Sequence, residues 1–259
     1  MTDVTAPSGS DVAVAEPVGS DLAGSEPVGS DVAVGFDVAV GFDAAVGFDA
    51  ALAASGGGSG GRHWLVDAGG RRVPLPVGRW HGPPEPAVRE LVDRCTGPTV
   101  DVGCGPGRLV AAVAERGVVS LGIDTSAVAV RLTRRRGVPA LCRDVFAPLP
   151  GEGRWAYLLL VDGNIGIGGD PVALLRRCRQ LLRPGGTALV ELAAPGTGLW
   201  RGTVRVEYDD RTGMTYAGPA FRWARLGTEA IHDLAGPAGL RVRSVRSTDG
   251  RWFAELVRP

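Results

Sequence analysis

The segment Thr99-Val-Asp-Val-Gly-Cys-Gly-Pro-Gly107 constrains the fold more than any other part of the chain. Residues 98–102 predict a short strand, and three glycines at alternate positions follow it: Gly103, Gly105 and Gly107. Glycine permits a tight turn and a close approach between backbone and ligand. Residues 107–116 then carry apolar side chains at helical spacing. A strand, a glycine loop and a helix in this order predict a βα unit whose loop binds a ligand.

The chain continues this alternation of strands and helices. Further strands are predicted at 118–123, 139–143, 155–161 and 187–192, with helices between them. The run 155–161 is apolar almost throughout, which is typical of a central strand covered on both faces. Two last strands, at 240–245 and 252–257, flank Asp249-Gly250, which is a hairpin signal. The pattern predicts an α/β fold with a doubly wound, Rossmann-like sheet, mainly parallel, that ends in an antiparallel hairpin.

Four acidic residues coincide with the ends of the first four predicted strands of this sheet. They are Asp101, Asp124, Asp144 and Asp162. Ligands of open α/β sheets bind beyond the carboxyl ends of the strands, so we expect these acids at one ligand-binding edge.

The spacing of the glycines discriminates between two kinds of nucleotide cofactor. A dinucleotide fingerprint has the form G-x-G-x-x-G. Here the third glycine comes one residue early, and Arg108 occupies the position of the fingerprint's last glycine. Asp101 would repel a pyrophosphate, whereas it suits the amino group and sulfonium of S-adenosylmethionine. The residues therefore favour the sulfonium cofactor, and a nicotinamide-dependent oxidoreductase is an alternative.

The pattern Asp101-x-Gly103-x-Gly105-x-Gly107 resembles the first motif of the class I S-adenosylmethionine-dependent methyltransferase superfamily. Leu181-Leu-Arg-Pro-Gly-Gly186 resembles that superfamily's turn before the fifth strand, and the likeness extends from Gly97 to about Pro259. The resemblance implies the strand order 3-2-1-4-5-7-6. It also implies that Asp124 accepts hydrogen bonds from both ribose hydroxyls, and that Asp144 and Val145 contact the adenine. The full expected cofactor set is Asp101, Gly103, Cys104, Gly105, Gly107, Asp124, Thr125, Asp144, Val145 and Asp162.

Methyl transfer from a sulfonium is an in-line displacement, so catalysis can rest on orientation. A general base is needed only if the acceptor keeps its proton. The candidates are Asp162, which the resemblance places among acceptor-facing groups, and His81, in a segment that commonly closes over the cofactor in this superfamily. Residues 196–226 are rich in aromatic side chains and predict either an acceptor lid or an extra antiparallel layer. The candidate substrate-binding residues are Asn164, Trp200, Tyr208 and Trp223.

Composition narrows the chemistry further. The chain has no Lys, which excludes Schiff-base chemistry. Its four Cys form no C-x-x-C pair, so we expect neither a metal site nor a disulfide framework. It lacks both the D/N-P-P-Y/F tetrapeptide and a Pro-Cys dipeptide, which argues against two classes of nucleic-acid methyltransferase. Its arginines are dispersed, so a small or medium-sized anionic acceptor is favoured over RNA. A non-catalytic S-adenosylmethionine-binding scaffold or sensor is the alternative that is not an enzyme.

The first 61 residues differ from the rest of the chain. They contain nine acidic and no basic residues, with Gly-Ser-Asp repeated every ten residues and then Val-Gly-Phe-Asp repeated every six. One interpretation is a disordered, low-complexity tail that ends in a Gly/Ser linker. The other is an acidic, Phe-bearing tail that docks on the basic body. On the first interpretation, residues 62–259 form the methyltransferase domain, with 62–97 as an N-terminal cap. No signal peptide or membrane span is predicted, so we expect a cytoplasmic protein; the oligomeric state stays open.

Overall fold

The structure is a computed structural model that describes residues 39–55 and 61–259. Within these ranges, no helix is long and apolar enough to cross a membrane. The helices are α1 Ala39–Ser55, α2 Val77–His81, α3 Pro86–Arg94, α4 Arg108–Glu115, α5 Ala127–Arg135, α6 Pro171–Leu181 and α7 Ile231–Ala235. The strands are β1 Arg62–Asp67, β2 Arg72–Leu75, β3 Thr99–Val102, β4 Ser120–Asp124, β5 Ala140–Cys142, β6 Trp155–Leu160, β7 Leu182–Leu192, β8 Leu199–Asp209, β9 Thr215–Leu226, β10 Arg241–Thr248 and β11 Arg251–Val257. Two short 3-10 segments, Asn164–Gly169 and Thr228–Ala230, complete the described elements.

The larger sheet has seven strands in the order β10-β11-β7-β6-β3-β4-β5. Strands β3 to β7 pair in parallel, whereas β10 and β11 pair antiparallel to their neighbours. Numbered within this sheet alone, the order is 3-2-1-4-5-7-6. The predicted fold class and strand order are therefore confirmed. The hairpin after β10 turns at Asp249 and Gly250, both with positive φ, as a two-residue type I′ turn requires.

The core lies on both faces of β6. Leu158 and Leu160 pack in one cluster together with Leu174 of α6, and Leu159 packs in a second cluster with Leu91 of α3. Successive side chains of a strand point to opposite faces, so a strand covered on both sides must be apolar at every position. Full burial of each of these leucines contributes about 2 kcal/mol, and it fixes β6 as the middle of the fold.

A second sheet has four antiparallel strands in the order β2-β1-β8-β9. Its strands come from two parts of the chain that are far apart in the sequence, 62–75 and 199–226. It joins residues of the predicted N-terminal cap to residues of the predicted lid. Trp64 of β1 pairs with Glu207 of β8, and Gly202 of β8 pairs with Trp223 of β9. A turn over residues 210–214 joins β8 to β9. The pairing of β1 with β8 is not predicted, because nothing local to either strand specifies its partner.

Helix α1 differs from the disordered tail predicted over residues 39–55. Ala45, Ala51 and Leu52 are buried, and the helix packs on β8, β9 and α5. At Gly47 a Cβ atom would lie 3.2 Å from the Val206 side chain. Glycine weakens a helix by about 0.5–1 kcal/mol relative to alanine, but here it lets the backbone approach β8, and tertiary packing outweighs the propensity. The remaining tail predictions fall on residues outside the described ranges.

Candidate functional site

The glycine loop after β3 adopts left-handed backbone conformations at all three glycines. The values of φ are +70° at Gly103, +53° at Gly105 and +83° at Gly107. A Cβ at Gly103 would lie 2.6 Å from Asn164 Nδ2, and one at Gly107 would lie 2.6 Å from Thr133 Oγ1. At Gly105 no atom lies within 4 Å of such a Cβ. The outer glycines therefore serve the packing of the protein, whereas Gly105 borders open space that a ligand can enter.

Asp101 is buried in β3 and carries an unsatisfied oxygen. Asp101 is only 2% exposed, and among the described residues its Oδ2 has no hydrogen-bond partner. Burial raises the pKa of Asp101 to about 7, the charge of Asp162 raises it further, and Arg108 lowers it. A buried polar atom without a partner costs free energy, so it is a place where a ligand donor is favourable. An ammonium group fits this oxygen in both charge and hydrogen bonding.

Asp124 ends β4, the strand next to β3 in the sheet. Its carboxylate accepts hydrogen bonds from the backbone N–H groups of Gly105 and Ser126, each at 2.8 Å. Burial raises the pKa of Asp124 to about 6, and these two N–H groups act in the opposite direction. Asp124 thus holds the middle of the glycine loop in place and stays partly exposed.

The next strand-end acid, Asp144, follows β5. Its Oδ1 accepts a hydrogen bond of 2.9 Å from the backbone N–H of Phe146. The side chain of Val145 is buried, and its carbonyl oxygen accepts a 2.8 Å hydrogen bond from Arg177 Nε. The turn after β5 is therefore fixed from two sides, with the Asp144 side chain partly exposed.

Cys104 lies in the glycine loop, and Thr125 directly follows Asp124 at the end of β4. The Cys104 thiol lies 3.7 Å from Thr133 Oγ1 and so close to Gly122 that a Cβ there would be 2.7 Å away. Burial raises the pKa of this thiol well above its ordinary value. The carbonyl of Thr125 accepts a contact of 3.4 Å from the Cys142 thiol. The side chain of Cys104 therefore points into the body and leaves only its backbone for a ligand.

Asp162, after β6, belongs to a cluster of five charged side chains. Arg108 Nη2 contacts both Asp162 oxygens, at 2.8 and 3.1 Å, and its Nη1 contacts Glu85. Arg251 Nη2 lies 2.9 Å from Asp162 and 2.7 Å from Glu191. Glu191 also accepts the backbone N–H of Asp162 at 2.6 Å. Asp162 has φ +59°, so the cluster holds a backbone conformation that non-glycine residues seldom adopt.

The sequence predicts Asp162 but not its four partners. Glu85 precedes α3, Arg108 begins α4, Glu191 lies in β7 and Arg251 begins β11. Sequence spacing cannot show that elements so far apart place their charges on one carboxylate. The only signal is Arg108 at the position of the dinucleotide fingerprint's last glycine.

Asn164 lies two residues after Asp162 in the first 3-10 segment. Its Nδ2 donates to the carbonyl oxygens of Val102 and Gly103, at 2.8 and 2.9 Å. Both donors of the side-chain amide are therefore used within the protein. Asn164 joins the end of β3 to the segment after β6, and its predicted role in binding substrate stays a prediction.

Two ring nitrogens at the end of α2 are buried without a partner in the described part of the chain, Trp80 Nε1 and His81 Nε2. Arg136 donates to the His81 carbonyl oxygen and to that of Pro106, each at 2.7 Å, which ties α2 to the glycine loop. Burial lowers the pKa of His81, and the charge of Arg136 lowers it further. The structure therefore presents a neutral imidazole at the end of α2, the helix whose backbone Arg136 links to the glycine loop.

The predicted aromatic residues do not form one group. Trp223 of β9 packs on the segment after β6, where a Cβ at Gly166 would lie 2.6 Å from its ring. Trp200 stacks under Arg225, with the guanidinium carbon 4.3 Å from the ring centroid. Tyr208 stacks on His63 at 4.7 Å. Because Gly202 pairs with Trp223, Tyr208 lies six residues further along β8, about 20 Å away. Trp223 thus packs on the segment that follows β6, and Tyr208 is remote from Trp223.

Helix α1 adds residues to this site that the sequence analysis does not predict. The ring of Phe48 lies 6.1 Å from that of Trp80 and 6.4 Å from that of Trp223. Asp49 accepts a hydrogen bond from the Ser126 hydroxyl, and its charge contributes to the raised pKa of Asp124. The repeated Phe-Asp dipeptide was the available signal. Among the described residues, no group of three or more His, Cys, Asp or Glu side chains is arranged to hold a metal ion.

Comparisons with known proteins agree with this geometry. Residues 99–186 match a methyltransferase domain family. No curated protein sequence matches the chain. Its structure is similar to that of an S-adenosylmethionine-dependent methyltransferase from Bacteroides fragilis in complex with S-adenosyl-L-homocysteine, with a TM-score of 0.67, 20% identity, and coverage of 83% of this chain and 95% of that one.

Two further solved structures resemble it less closely. The CcbJ methyltransferase from Streptomyces caelestis has a TM-score of 0.55 and 19% identity, with coverage of 69% of this chain and 91% of that one. CalS10 with bound S-adenosylmethionine, an amino pentose methyltransferase from Micromonospora echinaspora, has a TM-score of 0.52 and 17% identity, covering 70% and 92%. At these identities the likeness shows a shared fold. The matched methyltransferase domain, residues 99–186, covers about a third of the chain, and the fold shared with these methyltransferases extends over most of it.

Proposed function

We propose that this protein methylates a small-molecule acceptor that binds between the strand-end edge of the larger sheet and strand β9. The observation that carries the proposal is the close packing of β9 on the segment Asn164–Gly169. A Cβ at Gly166 would lie 2.2 Å from the Ala224 carbonyl oxygen, and one at Gly169 would lie 2.9 Å from the Arg222 side chain. The second sheet therefore roofs the side of the site where an acceptor would meet the methyl group.

An enclosed acceptor side favours a small molecule over a nucleic acid. A duplex or a folded RNA needs an open, positively charged surface that follows the backbone. Here the roof is apolar, with Val204, Val206, Phe221 and Trp223 in one buried cluster. The amino pentose acceptor of CalS10 is an example of a small acceptor on this fold, and it supports the size class but not the identity of the substrate.

We assign each part of the cofactor to the strand-end acid whose chemistry suits it. The unpaired Oδ2 of Asp101 suits the cofactor's ammonium group, and the open space at Gly105 suits a close approach to the loop. Asp124 lies next in the sheet and retains acceptor capacity for the ribose hydroxyls. Asp144 and Val145, one strand further, suit the adenine. When bound, S-adenosylmethionine supplies an electrophilic methyl group on a sulfonium.

The residues of this chain act on the acceptor by orientation and, where a proton must leave, through His81. The Nε2 atom of His81 is buried without a partner among the described residues, Arg136 links the His81 backbone to the glycine loop, and the lowered pKa of His81 keeps the imidazole neutral and able to accept a proton. Asp162 is instead held by two arginines, so we assign it a positioning role. Its ion pairs fix the end of β6 relative to α4 and β11.

Two measurements test the proposal. Calorimetric titration should show binding of S-adenosylmethionine and S-adenosylhomocysteine, and no binding of NAD or NADP. Release of S-adenosylhomocysteine should then be followed with panels of small amines, phenols and carboxylates, and with mixed RNA. Turnover with a small acceptor and none with RNA supports the assignment. Cofactor binding with turnover on RNA alone would overturn the small-acceptor proposal.

A further inference from the structure

We propose that Trp80 selects the methyl acceptor: its indole N–H donates a hydrogen bond to a neutral carbonyl oxygen of the acceptor, at a position separate from the atom that is methylated. The inference deepens the proposed function, and it rests on that function for the statement that the ligand is the methyl acceptor. The free donor itself rests on the contacts of Trp80 and does not depend on the reaction.

The indole N–H of Trp80 is buried without a partner. Trp80 belongs to α2, and its ring is partly exposed, whereas its Nε1 atom is buried and has no hydrogen-bond partner among the described residues. An indole nitrogen can only donate. Trp155 shows the usual arrangement, because its Nε1 donates to the Pro150 carbonyl oxygen at 3.1 Å. A buried donor without a partner costs free energy, so a ligand that brings an oxygen to Trp80 recovers that cost.

The contacts of Trp80 connect it to two sides of the proposed acceptor site. Trp80 packs against the apolar cluster that contains Trp223 of β9, and Ile167, in the segment after β6, packs against the same cluster. Arg136 donates to the carbonyl oxygens of His81 and Pro106, which links the end of α2 to the glycine loop. The free N–H therefore belongs to a helix that is joined both to the roof strand and to the cofactor loop.

The surroundings of Trp80 favour a neutral oxygen over a carboxylate. The side chains of the neighbouring cluster, such as Val77 and Phe221, carry no charge. Arg79, the residue before Trp80, is paired with Glu85 at 2.8 Å, and no guanidinium in the described part of the chain stacks on the Trp80 ring. A carboxylate buried here would lack a countercharge, which is costly, whereas a carbonyl oxygen needs only the one hydrogen bond.

Trp80 and His81 then contact different parts of one acceptor. Neighbouring residues of an α-helix point about 100° apart, so the indole N–H of Trp80 and the Nε2 of His81 reach different atoms. In the proposed function, His81 takes the proton from the atom that is methylated. The acceptor therefore carries two polar groups, a nucleophile that gives up a proton and a neutral carbonyl group at a distance from it.

The test compares three small aromatic compounds that differ in their oxygen atoms. Acetophenone carries a neutral carbonyl group, benzoate carries a carboxylate, and ethylbenzene carries no oxygen. The full-length protein, labelled with an NMR-active isotope at the indole nitrogens, is titrated with each compound in the presence of S-adenosylhomocysteine. The chain has six tryptophans, and the signal that is absent from the spectrum of W80F is that of Trp80. W155F is the matched control, because it loses the same ring and an N–H that already has a partner.

Acetophenone should shift the Trp80 indole proton downfield and should bind W80F about tenfold more weakly than the wild type, because one hydrogen bond is lost. It should bind W155F and the wild type equally. Ethylbenzene should not distinguish W80F from the wild type, and benzoate should bind the wild type more weakly than acetophenone does. The proposal is overturned if acetophenone does not shift the Trp80 signal or binds W80F as well as the wild type. Tighter binding of benzoate than of acetophenone would overturn the neutral class.

Stability distinguishes a free donor from a structural one. Loss of the Trp155 N–H leaves the Pro150 carbonyl oxygen without its donor, whereas loss of the Trp80 N–H leaves no group unpaired. W80F should therefore lower the melting temperature less than W155F does. An equal or larger decrease in W80F would show that the Trp80 N–H already serves the fold, and it would contradict the proposal.

Failure of the proposed function gives a different result. If S-adenosylhomocysteine does not bind the wild type, the cofactor assignment fails, and the same titrations of the cofactor-free protein still test Trp80. A downfield shift of its signal by acetophenone, with weaker binding to W80F, would support the carbonyl site on its own. Absence of both effects would overturn it.

Discussion

Arg108 binds both carboxylate oxygens of Asp162, at 2.8 and 3.1 Å, from the first turn of α4. The helix begins where the glycine loop ends, so this pair joins the loop to the carboxyl end of β6. Arg108 is only 3% exposed, and its other contacts are with Glu85. The Arg108 guanidinium is therefore buried, and it forms ion pairs with two carboxylates.

Replacing Arg108 by Ala should destabilise the protein by about 3 kcal/mol, because it removes the buried guanidinium that pairs with both Asp162 and Glu85 and leaves Asp162 with Arg251 as its remaining countercharge. The free energy of unfolding of R108K should lie between those of the wild type and R108A, because an ammonium group cannot form the bidentate contact of the guanidinium with Asp162. Urea denaturation measures the free energy of unfolding. R131A, at an exposed position on α5, is the matched control and should stay within about 0.5 kcal/mol of the wild type. Equal values for R108A and R131A would contradict the structural role of the cluster.

Replacing Gly105 by Ala should abolish cofactor binding and leave the protein folded. The positive φ costs about 1 kcal/mol, and the new methyl group meets no protein atom within 4 Å, only the space that we assign to the cofactor. The comparison is with G117A, where φ is +74° and the added methyl is also free of contacts, but in a turn after α4. Both variants should melt at similar temperatures. Calorimetry should detect binding only to G117A, and undiminished binding to G105A would place the cofactor elsewhere.

Cofactor binding should release protons below about pH 7. The pKa of Asp101 is raised to about 7 by burial, and a bound ammonium group favours the ionised form, so affinity should increase from pH 5 to pH 7. Without the cofactor, the folded-state pKa lies above the unfolded value of 3.8, so the free energy of unfolding should fall as pH rises from about 4 to 7. D101N should reduce the slope of both profiles, and the remaining slope comes from Asp124, whose pKa is raised to about 6. Calorimetry at pH 6 in buffers of different ionisation enthalpy counts the protons, and an unchanged count in D101N would exclude Asp101 as their source.

Replacing Gly166 by Ala should reduce methyl transfer and spare cofactor affinity. The new Cβ would lie 2.2 Å from the Ala224 carbonyl oxygen and 2.6 Å from the Trp223 ring, so β9 must move away from the acceptor side. We expect a rise of about tenfold or more in the acceptor KM, the cost of about 1.4 kcal/mol of lost positioning. G78A is the control, because its Cβ meets no neighbour. A KM unchanged in G166A would show that β9 does not form the acceptor site.

The fold and the cofactor edge could be predicted because their signals are local. The glycine loop, the apolar run of β6 and the Asp249-Gly250 turn are each encoded within a few residues, and the rules for parallel sheets then bring Asp101, Asp124 and Asp144 to one edge. Asp162 was expected at that edge too. The ion pairs of Asp162 with Arg108 and Arg251 could not be predicted. The three residues lie on different elements, and only the packed structure determines which way their side chains point.

Helix α1 and the β1–β8 pairing lie beyond local prediction for different reasons. Helix α1 contains Gly41 and Gly47, which argues against a helix in isolation, and packing contacts such as that of Phe48 with Trp80 stabilise it. Residues 196–226 could be interpreted as a lid or an extra antiparallel layer. The structure has β8 and β9 in a second antiparallel sheet, in which β8 pairs with β1, and the role of this segment as a lid stays a prediction.

The pairing of β1 with β8 has a consequence for the order of folding. Trp64 Nε1 donates to Asp209 across a sequence separation of 145 residues, and all five parallel strands of the larger sheet lie between them. Closing so long a loop is entropically costly unless the intervening chain has already become compact. We therefore expect the second sheet to assemble last. A refolding chain would regain its capacity to hold the cofactor first and its capacity to select an acceptor afterwards.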